Sequence, residues 1–326
     1  MRTKFGAVYI CLDEDGMCIS SSPPALSLLP AQALNALLLT IARSILDTQA
    51  TASRSQLTKT HIMATTPNKT LAFFGATGGC AGTCLALALN AGYHSTALVR
   101  TPQKLKDVLK TKNVSEDTIG KYLTILEGNA TDPAGIRRTI APEDNGGRIV
   151  DIIINGVGAA PKLQWSLLKP VTIDQPTLCG DVTAAILKVA RELSASSPAS
   201  RKPLFINVST TGIPSEGKPW DVPVKFTWLY HYVLQQPHED KRRVQVLVKE
   251  DSKSEQSGIG SYVFVKPSLL MDGQALGLGK VRVGTEDQPE IGNTIRRDDV
   301  GRFMFERLVK EDLRTEWRNT SLTITY

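Results

Sequence analysis

The sequence predicts an α/β protein with a doubly wound parallel sheet, and three observations support this fold class. Six short apolar, β-prone runs recur after residue 63, helical patterns separate them, and a glycine-rich turn follows the first. Continuous apolar runs indicate strands that helices cover on both faces. The predicted strands are Leu71–Phe74, Ser95–Val99, Tyr122–Leu126, Ile149–Ile154, Leu204–Val208 and Tyr262–Val265.

One of the intervening helices has a clear pattern. Apolar residues recur at helical spacing between Val182 and Leu193, which predicts a helix there. The serine-rich stretch 194–200, which contains a proline, is expected to end that helix and form a loop.

Composition excludes several function classes. The 326 residues include 41% hydrophobic residues, enough for a sizeable core. The net charge of +6 comes from scattered basic residues, which argues against a nucleic-acid partner. Five cysteines without a C-x-x-C pair fit neither a disulfide framework nor a zinc site. We therefore expect no metal and a reducing, cytoplasmic location.

Residues 1–62 differ from the rest of the chain. The uncharged stretch 16–42 is Leu-rich in part, but polar residues and Pro30 interrupt it, whereas a membrane span needs about 20 apolar residues. Acidic residues 13–15 stand where a secretory signal would be basic. A helix beginning near Pro30 is plausible. Because Met63 shortly precedes the first strand, we predict that residues 1–62 are a disordered or non-native extension, without a membrane partner.

The turn after the first strand is the strongest signal in the chain. It has the spacing G-x-x-G-x-x-A between a strand and an apolar helix. Main-chain N–H groups in such a turn can approach a pyrophosphate, and the helix N-terminus favours negative charge. A tight turn without a ligand is the alternative, but the strand–turn–helix context favours a dinucleotide site. The expected cofactor contacts are Gly75, Thr77, Gly78, Gly79, Cys80 and Ala81.

The end of the second strand predicts which dinucleotide is bound. NAD-specific folds usually place an acidic residue there, whereas this chain has Arg100, followed by Lys104. A guanidinium can bind a 2′-phosphate through two hydrogen bonds, so we predict NADPH. The alternative is that both are solvated charges at a helix start.

Small residues follow the third and fourth strands. Ligands of such sheets bind beyond the carboxyl ends of the strands, so these residues are expected to line the adenine and the ribose. The asparagines are equally suited to forming turns. The candidates are Asn129, Ala130, Gly156 and Val157.

Several motifs together resemble the atypical short-chain dehydrogenase/reductases, the NmrA-like and NAD(P)H-binding proteins common in fungi. The resemblance covers residues 69–310. It implies a Rossmann core that holds NADP within residues 63–326, with a small C-terminal lobe over the substrate side. Some members are reductases or isomerases, and others bind the nucleotide without turnover. The motifs are the Gly75–Gly78 turn, Leu98–Arg100, Asn129–Ala130, Pro237–Lys241, Val265–Pro267 and Arg297–Val300.

The catalytic residues depart from the usual pattern. Typical short-chain dehydrogenases place Tyr-x-x-x-Lys on one helix, where both side chains share a face. Tyr262 and Lys266 have this spacing, but in a strand it stretches to about 13 Å. The lysine that matches the family is Lys241, and Pro237 stands where the tyrosine would be. Lys241 could hold the nicotinamide ribose or be a solvated charge.

Other side chains could supply the proton or orient the substrate. Tyr230, Tyr232 and His238 are candidate donors, although the tyrosines more often pack and a histidine after proline is usually at the surface. The resemblance places a carbonyl-orienting serine at Ser209, whose alternative role is a strand-end cap. Cys80 and Cys84 could be redox-active, but packing is the more frequent role of such residues.

These observations predict an NADPH-dependent oxidoreductase that transfers hydride to a small carbonyl, enone or aromatic acceptor. The alternative is a non-catalytic NADP(H)-binding redox sensor that reports to a protein partner, because the tyrosine is missing. An epimerase or dehydratase is less favoured, since that chemistry usually retains the Tyr-Lys pair. The stretches Thr211–Val233 and Met271–Gly284 are loop-like and are expected to cover the substrate.

Overall fold

In a computed structural model of the chain, the described residues are 9–13, 16–20, 69–158, 161–163, 171–173, 175–196, 201–228 and 235–326. The chain divides into two compact units, residues 1–65 and 66–326. In the first unit, β1 (Tyr9–Asp13) and β2 (Gly16–Ser20) pair antiparallel. The helix predicted near Pro30 and the start at Met63 lie outside the described residues, and the boundary at residue 62 stays a prediction.

Six strands of the second unit correspond to the six predicted runs, with ends that differ by at most three residues, and the other strands were not predicted. In chain order, the strands are β3 (Leu71–Phe74), β4 (Ser95–Val99), β5 (Leu123–Glu127), β6 (Ile152–Asn155), β7 (Pro161–Leu163), β8 (Val171–Ile173), β9 (Leu204–Val208), β10 (Ser261–Pro267), β11 (Leu269–Met271), β12 (Arg282–Thr285), β13 (Thr294–Arg296) and β14 (Thr320–Thr325).

The main sheet confirms the doubly wound fold. Its order is β12-β14-β10-β9-β6-β3-β4-β5, so the winding direction reverses between β3 and β6. Neighbouring strands are parallel except β12, which runs antiparallel to β14 at one edge. Two smaller pairs, β7 with β8 and β11 with β13, lie outside this sheet. The reversal places the carboxyl ends of β3 and β6 side by side, which is where such sheets bind ligands.

Helices cover both faces of the sheet. They are α1 (Gly79–Asn90), α2 (Pro102–Thr111), α3 (Glu116–Tyr122), α4 (Pro133–Ile140), α5 (Leu178–Ser196), α6 (Gln235–Lys253) and α7 (Arg297–Phe303), the last continuing as a π-helix over Met304–Lys310. One core contains residues of α1, α2, α3 and α7, and the other contains residues of α4, α5 and α6. No helix in the described part of the chain is long and apolar enough to cross a membrane.

The predicted loops need correction. The stretch 271–284 begins in β11 and ends in β12, so only its middle is irregular. The helix predicted from Val182 continues to Ser196, beyond the expected end at residue 194. In the stretch 211–233, residues 211–228 are described and hold a short 3-10 turn at Val224–Phe226.

A buried ion pair fixes the loop after β9. Lys266 in β10 lies 2.8 Å from Asp221, and both side chains are at most 3% exposed. Asp221 also accepts a hydrogen bond from the main-chain N–H of Gly212 at 2.7 Å, and Lys266 donates to the carbonyl of Ile213 at 3.0 Å. Lys266 is therefore a structural cation. It lies within a strand, as predicted, and it is not half of a Tyr-Lys dyad.

Replacing Lys266 with methionine would leave the carboxylate of Asp221 buried without its cation. We expect Lys266→Met to lower the free energy of unfolding by about 3–5 kcal/mol, measured by urea denaturation. Lys280→Met, at an exposed position, is the control and should change it by about 0.5 kcal/mol or less. An equally small effect of Lys266→Met would contradict this role.

Candidate cofactor and catalytic site

The β3–α1 turn leaves main-chain donors at the start of α1. Gly75 has a φ of +75°, and its carbonyl accepts a hydrogen bond from Gly78 N–H at 3.0 Å, which closes the turn. Gly78 is the N-cap of α1, it provides no side-chain cap, and the first turn contains no acidic residue. By contrast, Asp132 caps α4 by accepting from Ala134 and Gly135 N–H. The first turn of α1 therefore has the donors and the dipole that suit an anionic group.

Two strand ends approach each other closely beside this turn. A Cβ added to Gly75 would lie 2.6 Å from the main chain of Gly156 and Val157. A Cβ added to Gly156 would lie 2.6 Å from the Cβ of Ala81. The structure thus brings together the predicted contacts of the turn with those after β6. We call this close approach the cradle. It leaves no room for a side chain and brings the two strand ends together beside the start of α1, which is where dinucleotide-binding folds hold the diphosphate.

Positive charge lies at the end of β4, the strand next to β3. Arg100 and Lys104 are both exposed. Neither makes an ion pair within the described residues, and the first turn of α2 contains no acidic residue. This arrangement leaves both side chains able to contact a ligand that lies across β3 and β4.

Asn129 has the turn role that was the alternative prediction. Its side-chain oxygen accepts a hydrogen bond from Thr131 N–H at 3.1 Å, and its carbonyl accepts from Asp132 N–H at 2.9 Å. Ala130 is half-buried and packs against the core that contains α4. Contact of these two residues with a nucleotide stays a prediction.

Lys241 joins the carboxyl ends of two neighbouring strands. Its Nζ donates to the carbonyl of Val157 at 3.0 Å, just after β6, and to the carbonyl of Val208 at 2.9 Å, at the end of β9. Lys241 is half-buried, so it is not the solvated charge of the alternative prediction. Its place beside Val157 keeps it close to the cofactor cradle.

Ser209 lies directly after β9 and is 5% exposed. Its main-chain N–H donates to the carbonyl of Val265 at 2.7 Å, and its hydroxyl accepts from Gln245 Nε2 at 3.4 Å. Sequence reasoning missed Gln245. The available signal was its position four residues after Lys241 on α6, which places both on one face of the helix.

The N-terminal part of α6 contains one buried candidate and one residue that was not predicted. His238 is 4% exposed, so it is not the surface residue of the alternative interpretation, and its role as a proton donor stays a prediction. Sequence reasoning also missed Asp240, whose two carboxylate oxygens accept from the N–H groups of Cys179 and Gly180 at 2.7 and 2.8 Å. Asp240 therefore caps the N-terminus of α5. Tyr230 and Tyr232 lie outside the described residues.

The Arg297–Val300 motif at the start of α7 holds this helix against α1. Asp298 accepts from Thr83 of α1 and from Lys112, each at 2.6 Å. Burial opposes ionisation of Asp298, but these two hydrogen bonds hold the pKa of its carboxyl below the usual value. Fully buried Asp299 accepts from the N–H groups of Leu276 and Gly277 at 2.7 and 2.9 Å.

The cysteines near the cradle pack in the core. Cys80, Cys84 and Cys179 are buried and carry thiols. Burial raises the pKa of the Cys80 thiol to about 12, against the opposing effect of the Arg297 guanidinium. Burial, reinforced by Cys80, also raises the pKa of Cys84. These surroundings support the packing role over redox activity.

The cradle, the uncapped helix and the reversal of the sheet define a dinucleotide-binding α/β protein. The sequence profile of the NAD(P)H-binding family matches residues 75–311. The chain belongs to this family, which confirms the resemblance to atypical short-chain dehydrogenase/reductases. The finer NmrA-like assignment stays a prediction.

Individual proteins are similar over most of their length. Reductase pytE of Aspergillus terreus is 43% identical over 262 residues, covering 79% of this chain and 98% of that protein. Oxidase pynE of Aspergillus niger is 35% identical over 267 residues, covering 74% of this chain and 92% of that protein. A solved structure from Lactobacillus casei has a TM-score of 0.50 at 14% identity, covering 78% of this chain and 98% of that one. This last likeness shows the fold alone.

The raised pKa of Cys80 predicts how slowly its thiol reacts. At about pH 8, a thiol with a pKa near 12 is ionised to about one part in 10⁴. We expect iodoacetamide to leave Cys80 unlabelled in the folded protein and to label it in denaturant, as measured by peptide mass spectrometry. In the folded protein, labelling should increase as the pH rises. Rapid labelling at neutral pH would instead indicate an activated thiol.

Proposed function

We propose that this protein is an NADPH-dependent oxidoreductase that transfers hydride to a small carbonyl, enone or aromatic acceptor. The observation that carries the proposal is the uncapped N-terminus of α1 beside the Gly75–Gly156 cradle. Membership of the NAD(P)H-binding family supports the cofactor class. The names of the two Aspergillus relatives, a reductase and an oxidase, support redox chemistry.

The preference for NADPH over NADH rests on charge. Arg100 and Lys104 lie where the adenosine ribose of a nucleotide bound across β3 and β4 would be. A guanidinium fork matches a phosphate through two hydrogen bonds, and it makes no comparable contact with a ribose hydroxyl. The first turn of α2 lacks the acidic residue that would repel a 2′-phosphate.

Each residue of the site has a role in this proposal. The turn 75–81 holds the diphosphate through main-chain N–H groups, and Gly156 and Val157 form the floor beside it. The bound nicotinamide supplies the hydride. Ser209 donates a hydrogen bond to the acceptor oxygen, because Gln245 already donates to its hydroxyl oxygen and leaves the hydroxyl hydrogen available. Lys241 lies between the diphosphate turn and Ser209, and it holds the ends of β6 and β9 together.

His238 is the candidate source of the proton. It lies in the first turn of α6, and an imidazole side chain can accept and donate a proton near neutral pH. His238 and Ser209 are buried to a similar degree, at 4% and 5% exposed. We assign Ser209 as the residue that contacts the acceptor because its contact with Gln245 leaves its hydroxyl hydrogen available, and His238 or a water then supplies the proton.

One observation favours the alternative, a redox sensor that binds NADP(H) without turnover. Pro237 replaces the usual tyrosine, and two donor hydrogens of Lys241 are used by main-chain carbonyls. A lysine held in this way can stabilise a binding site without a tyrosine at position 237 to act on. In this alternative a protein partner, and not a small acceptor, would respond to the bound nucleotide.

Arg100→Asp tests the choice of nucleotide. We expect the affinity for NADPH to fall by about 100-fold while that for NADH changes little, because the carboxylate would repel the 2′-phosphate. Isothermal titration calorimetry with both nucleotides measures this. An equal loss for both would show that Arg100 does not contact the 2′-phosphate.

Turnover separates the enzyme from the sensor. We expect quinones, flavins or enones to stimulate NADPH consumption, followed at the nicotinamide absorbance. Ser209→Ala should lower kcat by about 100-fold, because one hydrogen bond to the developing oxyanion is lost. Its NADPH affinity should be unchanged, and Ser196→Ala at an exposed position on α5 is the control. Tight NADPH binding with no active acceptor in the panel would favour the sensor.

A further inference from the structure

We propose that Arg297 is an additional cofactor-binding residue, whose guanidinium contacts the diphosphate at the N-terminus of α1. This inference rests on the proposed function, since it assumes that a nicotinamide dinucleotide binds at this turn. Arg297 begins α7, which is distant in the sequence from the glycine-rich turn. In the sequence it belongs to the Arg297–Val300 motif, for which no ligand contact was predicted.

The side chain of Arg297 lies over the first residue of α1. A Cβ added to Gly79 would lie 2.7 Å from Cδ of Arg297 and 3.0 Å from its Cβ. The absence of a side chain at Gly79 therefore provides the space that the arginine methylenes occupy. The guanidinium, one bond beyond Cδ, is thereby carried to the end of α1 where main-chain donors are uncapped.

The guanidinium keeps most of its hydrogen-bonding capacity. Within the described part of the chain, its hydrogen-bond partner is Asp272, with Nη1 and Oδ1 2.6 Å apart. The Asp272 side chain is 90% exposed, so this ion pair is weak and easily rearranged. The remaining N–H groups of Arg297 can bind phosphate oxygens, and the helix dipole adds to the same attraction.

The neighbours of Arg297 fix its position. Asp298 is bonded to Thr83 of α1 and to Lys112. On the same helix, a Cβ added to Gly301 would lie 2.5 Å from the carbonyl oxygen of Cys80, so α7 and α1 are in close contact. An arginine held on a helix in this way loses little freedom when it binds a ligand.

Arg297 and Arg100 should act on different parts of the nucleotide. Arg100 lies beyond β4, on the side of the 2′-phosphate that distinguishes NADPH from NADH. Arg297 lies at the start of α1, beside the diphosphate that both nucleotides share. Replacing Arg100 should therefore weaken NADPH binding selectively, whereas replacing Arg297 should weaken the binding of both nucleotides equally.

The test measures NADPH and NADH affinity by isothermal titration calorimetry in the wild-type chain and in Arg297→Met and Arg297→Gln. We expect each variant to weaken both nucleotides by the same factor, about tenfold or more, since a charge-assisted contact is lost. The wild-type affinity should also decrease more steeply with salt than the affinities of the variants. Arg302→Met, an exposed arginine of the same helix, is the matched control and should bind like the wild type. Melting temperatures without ligand check that the variants are folded.

The outcomes separate this inference from the proposed function. If folded Arg297→Met and Arg297→Gln bind both nucleotides with wild-type affinity, Arg297 is not a ligand contact, and the proposed function stands. A loss confined to NADPH would place the guanidinium at the 2′-phosphate and also overturn the inference. If the wild-type chain binds neither nucleotide, both proposals are wrong.

Discussion

The close approach of the β3–α1 turn to the end of β6 is the constraint on which the site depends. Gly75 and Gly156 each lie where an added methyl group would collide with the opposite main chain or with Ala81. Since β3 and β6 begin the two halves of the sheet, this contact sets the width of the crevice between the halves. The start of α1 and the main chain of Val157 therefore have fixed relative positions before any ligand binds.

Helix α6 extends this fixed geometry to the acceptor side. Lys241, Gln245 and Lys249 are spaced by four residues, and they contact the end of β9, Ser209 and Ser215 respectively. Asp240, directly before Lys241 on the same helix, caps α5. A helix with a charged sequence thus serves as scaffolding, because its polar side chains bond main-chain groups and serine hydroxyls around the end of β9 and at the start of α5.

The sequence predicted the core of the fold because its central strands are continuous apolar runs. It did not predict β14, in which Ser321, Thr323 and Thr325 are buried between apolar residues, so that the run is interrupted. The cofactor turn was predictable, since close main-chain approach requires small residues in a local pattern. The role of Asp240 was not predictable, because it depends on how α6 packs against α5. The spacing of Gln245 from Lys241 indicated a shared helix face but not the contact with Ser209. The burial of His238 likewise depends on the packing of α6.

Asp299 links three segments in the C-terminal part of the chain through hydrogen bonds. Its oxygens accept from Leu276 and Gly277 N–H and from the hydroxyl of Tyr326, whose own oxygen accepts from Arg296 N–H. Burial and the hydrogen bond to Asp299 raise the pKa of Tyr326 to about 12, so this phenol stays protonated and remains a donor. Opening the segment around Leu276 would leave a fully buried carboxylate with fewer donors. We therefore expect one cooperative unfolding unit that contains the segment around Leu276, Tyr326 and α7, and whose amides share one rate of hydrogen exchange.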